Sequence, residues 1–160
     1  ERNQITMIKI LFVCHGNICR SPMAEFVMKD LVKKAGEGQH VFIASAAVSR
    51  EETGNPVHPV TRTMLRRHGL SCDGKYAVTI AKGDYDRYDW LVGMDRSNIT
   101  RMHTLFGGDP EGKICRLLDF TDHPRDVADP WYTGDFESTW RDVVEGCTAM
   151  LQKILEEPKV

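Results

Sequence analysis

The chain has 160 residues, 41% of them hydrophobic and 28% charged, with a formal net charge of −2. That length suits one domain with a core large enough to fold without disulfides, and the composition excludes collagen-like, disordered and low-complexity classes. A nearly neutral chain has no footprint for general nucleic-acid binding or for an anionic membrane surface, and no run of ~18 apolar residues marks a transmembrane helix.

Residues 1–6 precede the first patterned stretch and are read as an upstream remnant outside the fold, leaving residues 7–160 as a single domain. Ile8 to Val13 is apolar except for Lys9, as expected of a strand buried on both faces. A polar loop, Cys14 to Ser21, leads to Pro22, which suits the first position of a helix with Ser21 as its N-cap. Met23, Val27, Met28, Leu31, Val32 and Ala35 follow at helical spacing, and Gly36 stops the helix. The alternation continues with a strand at Val41–Ala47, a helix at Pro59–His68 ended by Gly69, and a strand at Tyr88–Met94. Asp95 caps a helix that runs to Phe106, Ile114–Leu118 is a short fourth strand, and Phe136–Leu155 is a long amphipathic helix. Strands alternating with helices predict a three-layer α/β fold, a four-stranded parallel sheet with helices on both faces. Asp119 to Gly134 is polar, without periodicity and long for a connection, which points to function.

In open parallel sheets ligands bind beyond the carboxyl ends of the strands. The loop from Cys14 to Ser21 lies there and ends at a helix N-terminus, where free N–H groups and the helix dipole favour an anion. Gly16 and Asn17 tolerate a left-handed or tightly curved backbone, so the loop can curl its amides inward into an anion nest. Arg20 adds a planar fork that matches two phosphate oxygens. A Cys14 thiol at this position is expected to ionise well below ~8.5, becoming a thiolate aimed at a bound tetrahedral oxyanion. Ser21 can donate a hydrogen bond to it. Cys-x5-Arg alone is a weak signal. The preceding strand, the internal glycine, the serine and the helix-opening proline make it specific.

Val13-Cys14-His15-Gly16-Asn17-Ile18-Cys19-Arg20-Ser21-Pro22-Met23-Ala24-Glu25 closely resembles the signature loop of the low-molecular-weight protein tyrosine phosphatases. The resemblance extends from about Met7 to Leu155 and takes in Ser45-Ala46, His68-Gly69-Leu70, Met94-Asp95 with Asn98, and Asp129-Pro130-Trp131-Tyr132-Thr133-Gly134-Asp135-Phe136. It implies the same fold and hydrolysis of phosphotyrosine in a protein, or of a small aryl phosphate, with inorganic phosphate or a similar oxyanion held by the loop.

Displacing a phenolate needs a proton donor. Asp109 and Asp129 both precede proline; Asp109 fits a turn, whereas Asp129 stands beside Trp131 and Tyr132, two aromatics able to wall a slot for a substrate ring. The resemblance also places the general acid at Asp129. It further implies that Cys19 can trap an oxidised Cys14 as a disulfide, that Asn17 is held by Ser45 and His68, and that Asp95 supports the loop. Each has a plainer reading: a small buried thiol, a dipole partner at a helix end, and an ordinary N-cap. His15 lies in the loop, where it can touch substrate. No cofactor is implied and no metal-spacing cluster is present. With five cysteines irregularly spaced and no export signal, free thiols and a cytoplasmic setting are expected.

The chain departs from the family's usual pattern at Ser45-Ala46-Ala47-Val48 and at Glu51, near which the family often has a tryptophan on the substrate rim. A carboxylate there should disfavour acidic phosphopeptides. Rival readings on this scaffold are a protein-arginine phosphatase, in which threonine stands where this chain has Ile18, and a thioredoxin-coupled arsenate reductase, which needs a cysteine relay that this chain lacks near Met94-Asp95. A non-catalytic phosphate-binding module would need neither nucleophile nor acid.

Overall fold

The computed structural model describes residues 7–156; the remnant assigned to residues 1–6 lies outside the described residues, as do residues 157–160. The strands are β1 (Ile8–Cys14), β2 (Val41–Ala47), β3 (Trp90–Gly93) and β4 (Ile114–Arg116). The helices are α1 (Arg20–Lys34), α2 (Pro59–Arg67), α3 (Asp84–Arg87), α4 (Arg96–Phe106), α5 (Pro130–Thr133) and α6 (Phe136–Glu156), with a 3₁₀ turn at Leu117–Phe120. All strand pairs are parallel and the order is β2-β1-β3-β4. The four-stranded three-layer α/β expectation is met.

Residues of β1 alternate between two cores. Ile8, Ile10, Phe12 and Cys14 join Met23, Val27 and Met28 of α1 and Val143, Cys147 and Met150 of α6 on one face. Leu11 and Val13 join Tyr85 of α3 and Met102 of α4 on the other. Each fully buried large side chain in these layers contributes roughly 1.5–3 kcal/mol. Gly146 brings α6 against the 3₁₀ turn; a Cβ there would stand 2.5 Å from Leu117 Cγ. β2 and β3 flank β1 on opposite sides, so the sheet changes direction at the end of β1. That crevice is where the Cys14–Ser21 loop emerges.

Some boundaries differ from the sequence reading. Ser21 is not an N-cap: α1 begins at Arg20, and the Ser21 hydroxyl turns inward to Cys14 and Asn17. The fourth strand stops at Arg116, whose guanidinium holds Asp119 and folds the chain into the 3₁₀ turn. The third strand is four residues long, because Tyr88 ends α3. Asp95 does cap α4, in a reciprocal capping box with Asn98. Among the described residues, no helix is long and apolar enough to cross a membrane.

Candidate active site

A pocket of about 330 Å³ opens at the carboxyl end of the sheet. Cys14, the last residue of β1, reaches its floor and is only 3% exposed. Its Sγ accepts the Asn17 N–H at 3.3 Å and lies 3.0 Å from Ser21 Oγ. The sulfur therefore faces the cradle of amides. His15, Gly16, Ile18, Cys19 and Arg20 line the pocket with it.

Of the two residues expected to curl the loop, only Asn17 is left-handed, with φ 60°. Gly16 serves differently: a Cβ there would come within 3.1 Å of Glu52 Cγ, so the missing side chain makes room for the neighbouring wall. The strained Asn17 is fully buried and held at both ends of its amide. Its Nδ2 donates to Ser21 Oγ and to Ser45 Oγ, both at 2.9 Å, and its Oδ1 accepts the Val78 N–H at 3.1 Å. Ser45 Oγ, already an acceptor, donates onward to Glu25 Oε1 at 2.5 Å. Ser21, likewise an acceptor from Asn17, has its own proton available for the sulfur 3.0 Å away. The chain thus diverges from the Asn17 amide, its donors pointing one way through Ser45 to the Glu25 carboxylate and the other way through Ser21 toward Cys14.

His68, expected in this network, lies outside it. Its Nδ1 bonds Met64 O at 2.8 Å at the end of α2, and its ring stacks on Trp140 with centroids 4.0 Å apart. The helix-end reading is the one that holds. Lys75 is there instead: Nζ donates to Ser45 O at 2.9 Å and lies 3.7 Å from Glu25 Oε1. Burial pushes the Lys75 ammonium below its ordinary value, against the pull of Glu25. Lys29 closes the far side of Glu25 at 2.6 Å. Glu25 has a trace in the sequence. Ser21, Glu25, Met28 and Val32 share one helical stripe and are all buried, so a carboxylate sits on a core-facing register.

Arg20 is 3% exposed and holds both remaining carboxylates. Its Nη1 donates to Asp95 Oδ2 at 2.8 Å and to Val127 O at 3.2 Å, and its Nη2 to Asp129 Oδ2 at 3.3 Å. Burial alone would pull this guanidinium down; the charges of Cys14, Asp129 and Asp95 offset it and hold it above its ordinary value. Asp95 faces two ways: Oδ1 caps α4 while Oδ2 accepts from Arg20. Asp129 does the same, since Oδ1 accepts the Trp131 N–H at the start of α5. Asp109 lies elsewhere, bonded to Tyr85 Oη and to the backbone of Lys113 and Ile114, and is the turn residue expected.

The rim carries Glu51, Glu52, Trp131 and Tyr132. Trp131 is 69% and Tyr132 85% exposed, placing two aromatic faces beside the opening. Glu51 Oε1 lies 3.3 Å from His15 Nε2, so the one histidine of the loop is tied to the rim carboxylate. The Cys19 thiol is pushed up to about 12, first by burial and next by Cys14 beside it. Cys147, packed in the core, is raised by burial alone. These are neutral side chains at ordinary pH.

Comparison with known proteins gives one consistent result. The family model described as low molecular weight phosphotyrosine protein phosphatase matches residues 9–160. The low molecular weight protein-tyrosine-phosphatase YfkJ of Bacillus subtilis is 40% identical over 156 residues, covering 96% of this chain and 100% of the relative. The crystal structure of YfkJ superposes with a TM-score of 0.94 at 39% identity, over 99% of this chain and 100% of that one. SP-PTP, a low molecular weight protein tyrosine phosphatase from Streptococcus pyogenes, aligns with a TM-score of 0.83 at 36% identity, over 96% of this chain and 100% of that one. The structure of DARP, a Drosophila arginine phosphatase, aligns with a TM-score of 0.83 at 28% identity, over 95% of this chain and 100% of that one.

Proposed function

The chain belongs to the low molecular weight phosphotyrosine protein phosphatase family and is a phosphatase, and from that premise we propose that it hydrolyses phosphotyrosine and small aryl phosphates through a cysteinyl-phosphate on Cys14. The observation that carries this reading is the direction of the Cys14 sulfur, which accepts the Asn17 amide inside a pocket shared with Arg20 and Asp129. In the first step the Cys14 thiolate attacks phosphorus in line and the bond to the aryl oxygen breaks. The electron pair passes to that oxygen, which takes the proton of the Asp129 carboxyl and leaves as a phenol. Loop amides and Arg20 hold the three equatorial oxygens, where charge stabilisation dominates phosphoryl transfer. In the second step Asp129 removes a proton from water, the water oxygen attacks phosphorus, the sulfur–phosphorus bond breaks, and inorganic phosphate and the Cys14 thiolate result. An incoming phosphate competes for the same Arg20 N–H that Asp129 accepts at 3.3 Å, which frees the acid to face the leaving oxygen.

Trp131 and Tyr132 flank the substrate ring, and Glu51 and Glu52 set an acidic rim that favours substrates with basic neighbours. Cys19 takes the place of the thiol that closes a disulfide on a Cys14 sulfenic acid, with loss of water. A thiol raised to about 12 reacts slowly in that role at neutral pH.

Steady-state hydrolysis of phenyl phosphate across pH tests the assignment. Asp129→Asn is expected to lower kcat/KM by ~10²–10⁴-fold with little change in inhibition by inorganic phosphate, and Cys14→Ser to abolish turnover while oxyanion binding persists. Equal activity of Asp129→Asn and the parent on this poor leaving group would remove the acid from its role. Phosphate binding without turnover by the parent would leave a binding module. The likeness to DARP favours a second reading, phosphoarginine as substrate. Ile18 lines the pocket with an apolar side chain that cannot orient water against a phosphoramidate, so the ratio of phosphotyrosine to phosphoarginine hydrolysis decides between the two.

A further inference from the structure

The segment before Asp129 has a polar, unpatterned sequence, yet the side chains of Arg125 and Asp126 and the backbone of Val127 and Ala128 are fastened. Arg125 Nη2 pairs with Asp142 at 2.9 Å and with Glu145 at 3.0 Å, and its Nη1 donates to His123 O at 2.8 Å. Asp126 Oδ1 accepts from Arg116 Nη1 at 3.0 Å and from the Arg96 N–H at 2.9 Å. Val127 is 1% exposed, and its N–H donates to Met94 O at 2.8 Å.

The two peptide planes that enter Asp129 receive the closest attention. In the first, Val127 O accepts from Arg20 and the Ala128 N–H donates to Asp142 Oδ2 at 3.2 Å. In the second, Ala128 O accepts from Thr139 Oγ1 at 2.8 Å. Thr139 is fully buried, so its hydroxyl is committed inside the protein to this carbonyl and, more weakly, to Asp135 O at 3.4 Å. Thr139 and Asp142 stand three residues apart on α6, on one helical face. α6 otherwise supplies the core under the sheet, among the described residues, through Val143, Cys147, Met150 and Ile154. A rigid helix anchored in the core thus fixes the last two peptide planes before the acid. Beyond them Pro130 restricts the chain and the Asp129 side chain caps α5.

We propose that Thr139 and Asp142 are positioning residues for the general acid: together they clamp both backbone groups of Ala128 and so fix where the Asp129 carboxyl stands. The proposal rests on Asp129 being the acid. Neither residue lines the pocket. A displacement of about 1 Å at the carboxyl is enough to slow proton delivery on the order of a hundredfold.

The experiment compares kcat/KM on phenyl phosphate, whose leaving oxygen needs a proton, with kcat/KM on dinitrophenyl phosphate, whose leaving group departs without one. Asp142→Ala and Thr139→Val are made in the parent and in the Asp129→Asn background. Each is expected to lose about tenfold on phenyl phosphate and less than about twofold on dinitrophenyl phosphate. No further loss is expected where Asp129 is already asparagine. Asp142→Asn, which keeps an oxygen for the Ala128 N–H, should recover most of the rate. Inhibition by inorganic phosphate and the thermal midpoint report whether the cradle and fold survive; Thr139→Val tests the same clamp if Asp142→Ala does not fold. Equal losses on both esters, or losses that add to Asp129→Asn, overturn the proposal. If Asp129→Asn itself shows no dependence on leaving group, it is the acid assignment that fails. If it does and the two α6 variants do not, the clamp fails alone.

Discussion

Two loops meet at the pocket, and they are held by opposite means. The Cys14–Ser21 loop is fixed from below by a buried polar chain, in which Asn17, Ser21 and Ser45 are all at most 2% exposed and a buried carboxylate takes the Ser45 proton. The segment 125–129 is fixed from outside, by ion pairs whose members are partly solvated, such as Arg125 at 40% and Glu145 at 48% exposure, with one buried hydroxyl behind them. The difference teaches which part of the chemistry each loop can afford to vary. On the mechanism proposed above, the groups that would face phosphorus sit where water cannot compete, and the group that would gain and lose a proton sits where charge and solvent reach it.

The comparison breaks most visibly at Asn17. Asn17→Ala removes two donors and one acceptor at once and leaves buried hydroxyls unsatisfied, at a cost of about 2–3 kcal/mol. It also relaxes the left-handed turn that aims the amides, so kcat/KM should fall on the order of a hundredfold on good and poor leaving groups alike. That indifference to the leaving group, read in the same assay as the α6 variants, separates cradle from acid. Lys75→Met is next. It deprives the buried Glu25 of one partner while Lys29 remains, and should lower stability by about 2 kcal/mol in urea titration, short of the ~3–5 for an isolated buried pair.

The cradle's burial also has a pH signature. The folded Cys19 thiol is raised from its ordinary value of 9.0 to about 12, so the folded state holds the proton more tightly than the unfolded chain. Its contribution to stability is complete below 9.0 and is lost as pH rises toward 12. Cys19→Ser should flatten alkaline unfolding over that window, monitored by circular dichroism; an unchanged slope would count against the burial account. The smallest effect belongs to the solvated side. Glu51→Lys should lower KM for acidic phosphopeptides about threefold and raise it for basic ones, with both shifts fading toward ~1 M salt.

Much of this was legible in the sequence, for identifiable reasons. Periodicity exposed the layers, because strands buried on both faces and amphipathic helices write their environment into apolar spacing. The pocket floor was legible because Cys14, Gly16, Asn17, Arg20 and Ser21 are close in sequence and their chemistry is local. The long-range partners were not. Lys75 reaches Ser45 across thirty residues and Asp142 reaches Ala128 across fourteen, and no local pattern distinguishes such a lysine or aspartate from a solvated one. His68 is the complementary case. The resemblance placed it with Asn17, whereas the local rule for a histidine before a helix-ending glycine is the one its bond to Met64 O follows, and Trp140, which stacks on it, comes from a distant helix. The short α3 and α5 lack periodicity because four residues cannot show one.

β1 is paired along its length with β2 on one edge, and over Ile10–Val13 with β3 on the other. The strand that carries Cys14 is therefore the one whose amides can exchange with solvent only when the sheet itself comes apart. The stretch entering Asp129 is tied mainly through side chains and can detach in a smaller fluctuation. If Asp129 is the acid proposed above, such an opening yields a molecule that keeps the Cys14 cradle for an oxyanion yet has lost its proton donor. In deuterium exchange, the amides of Leu11–Val13 should outlast those of Val127 and Ala128. Under mild denaturant, hydrolysis of poor leaving groups should fade before the grip on phosphate does.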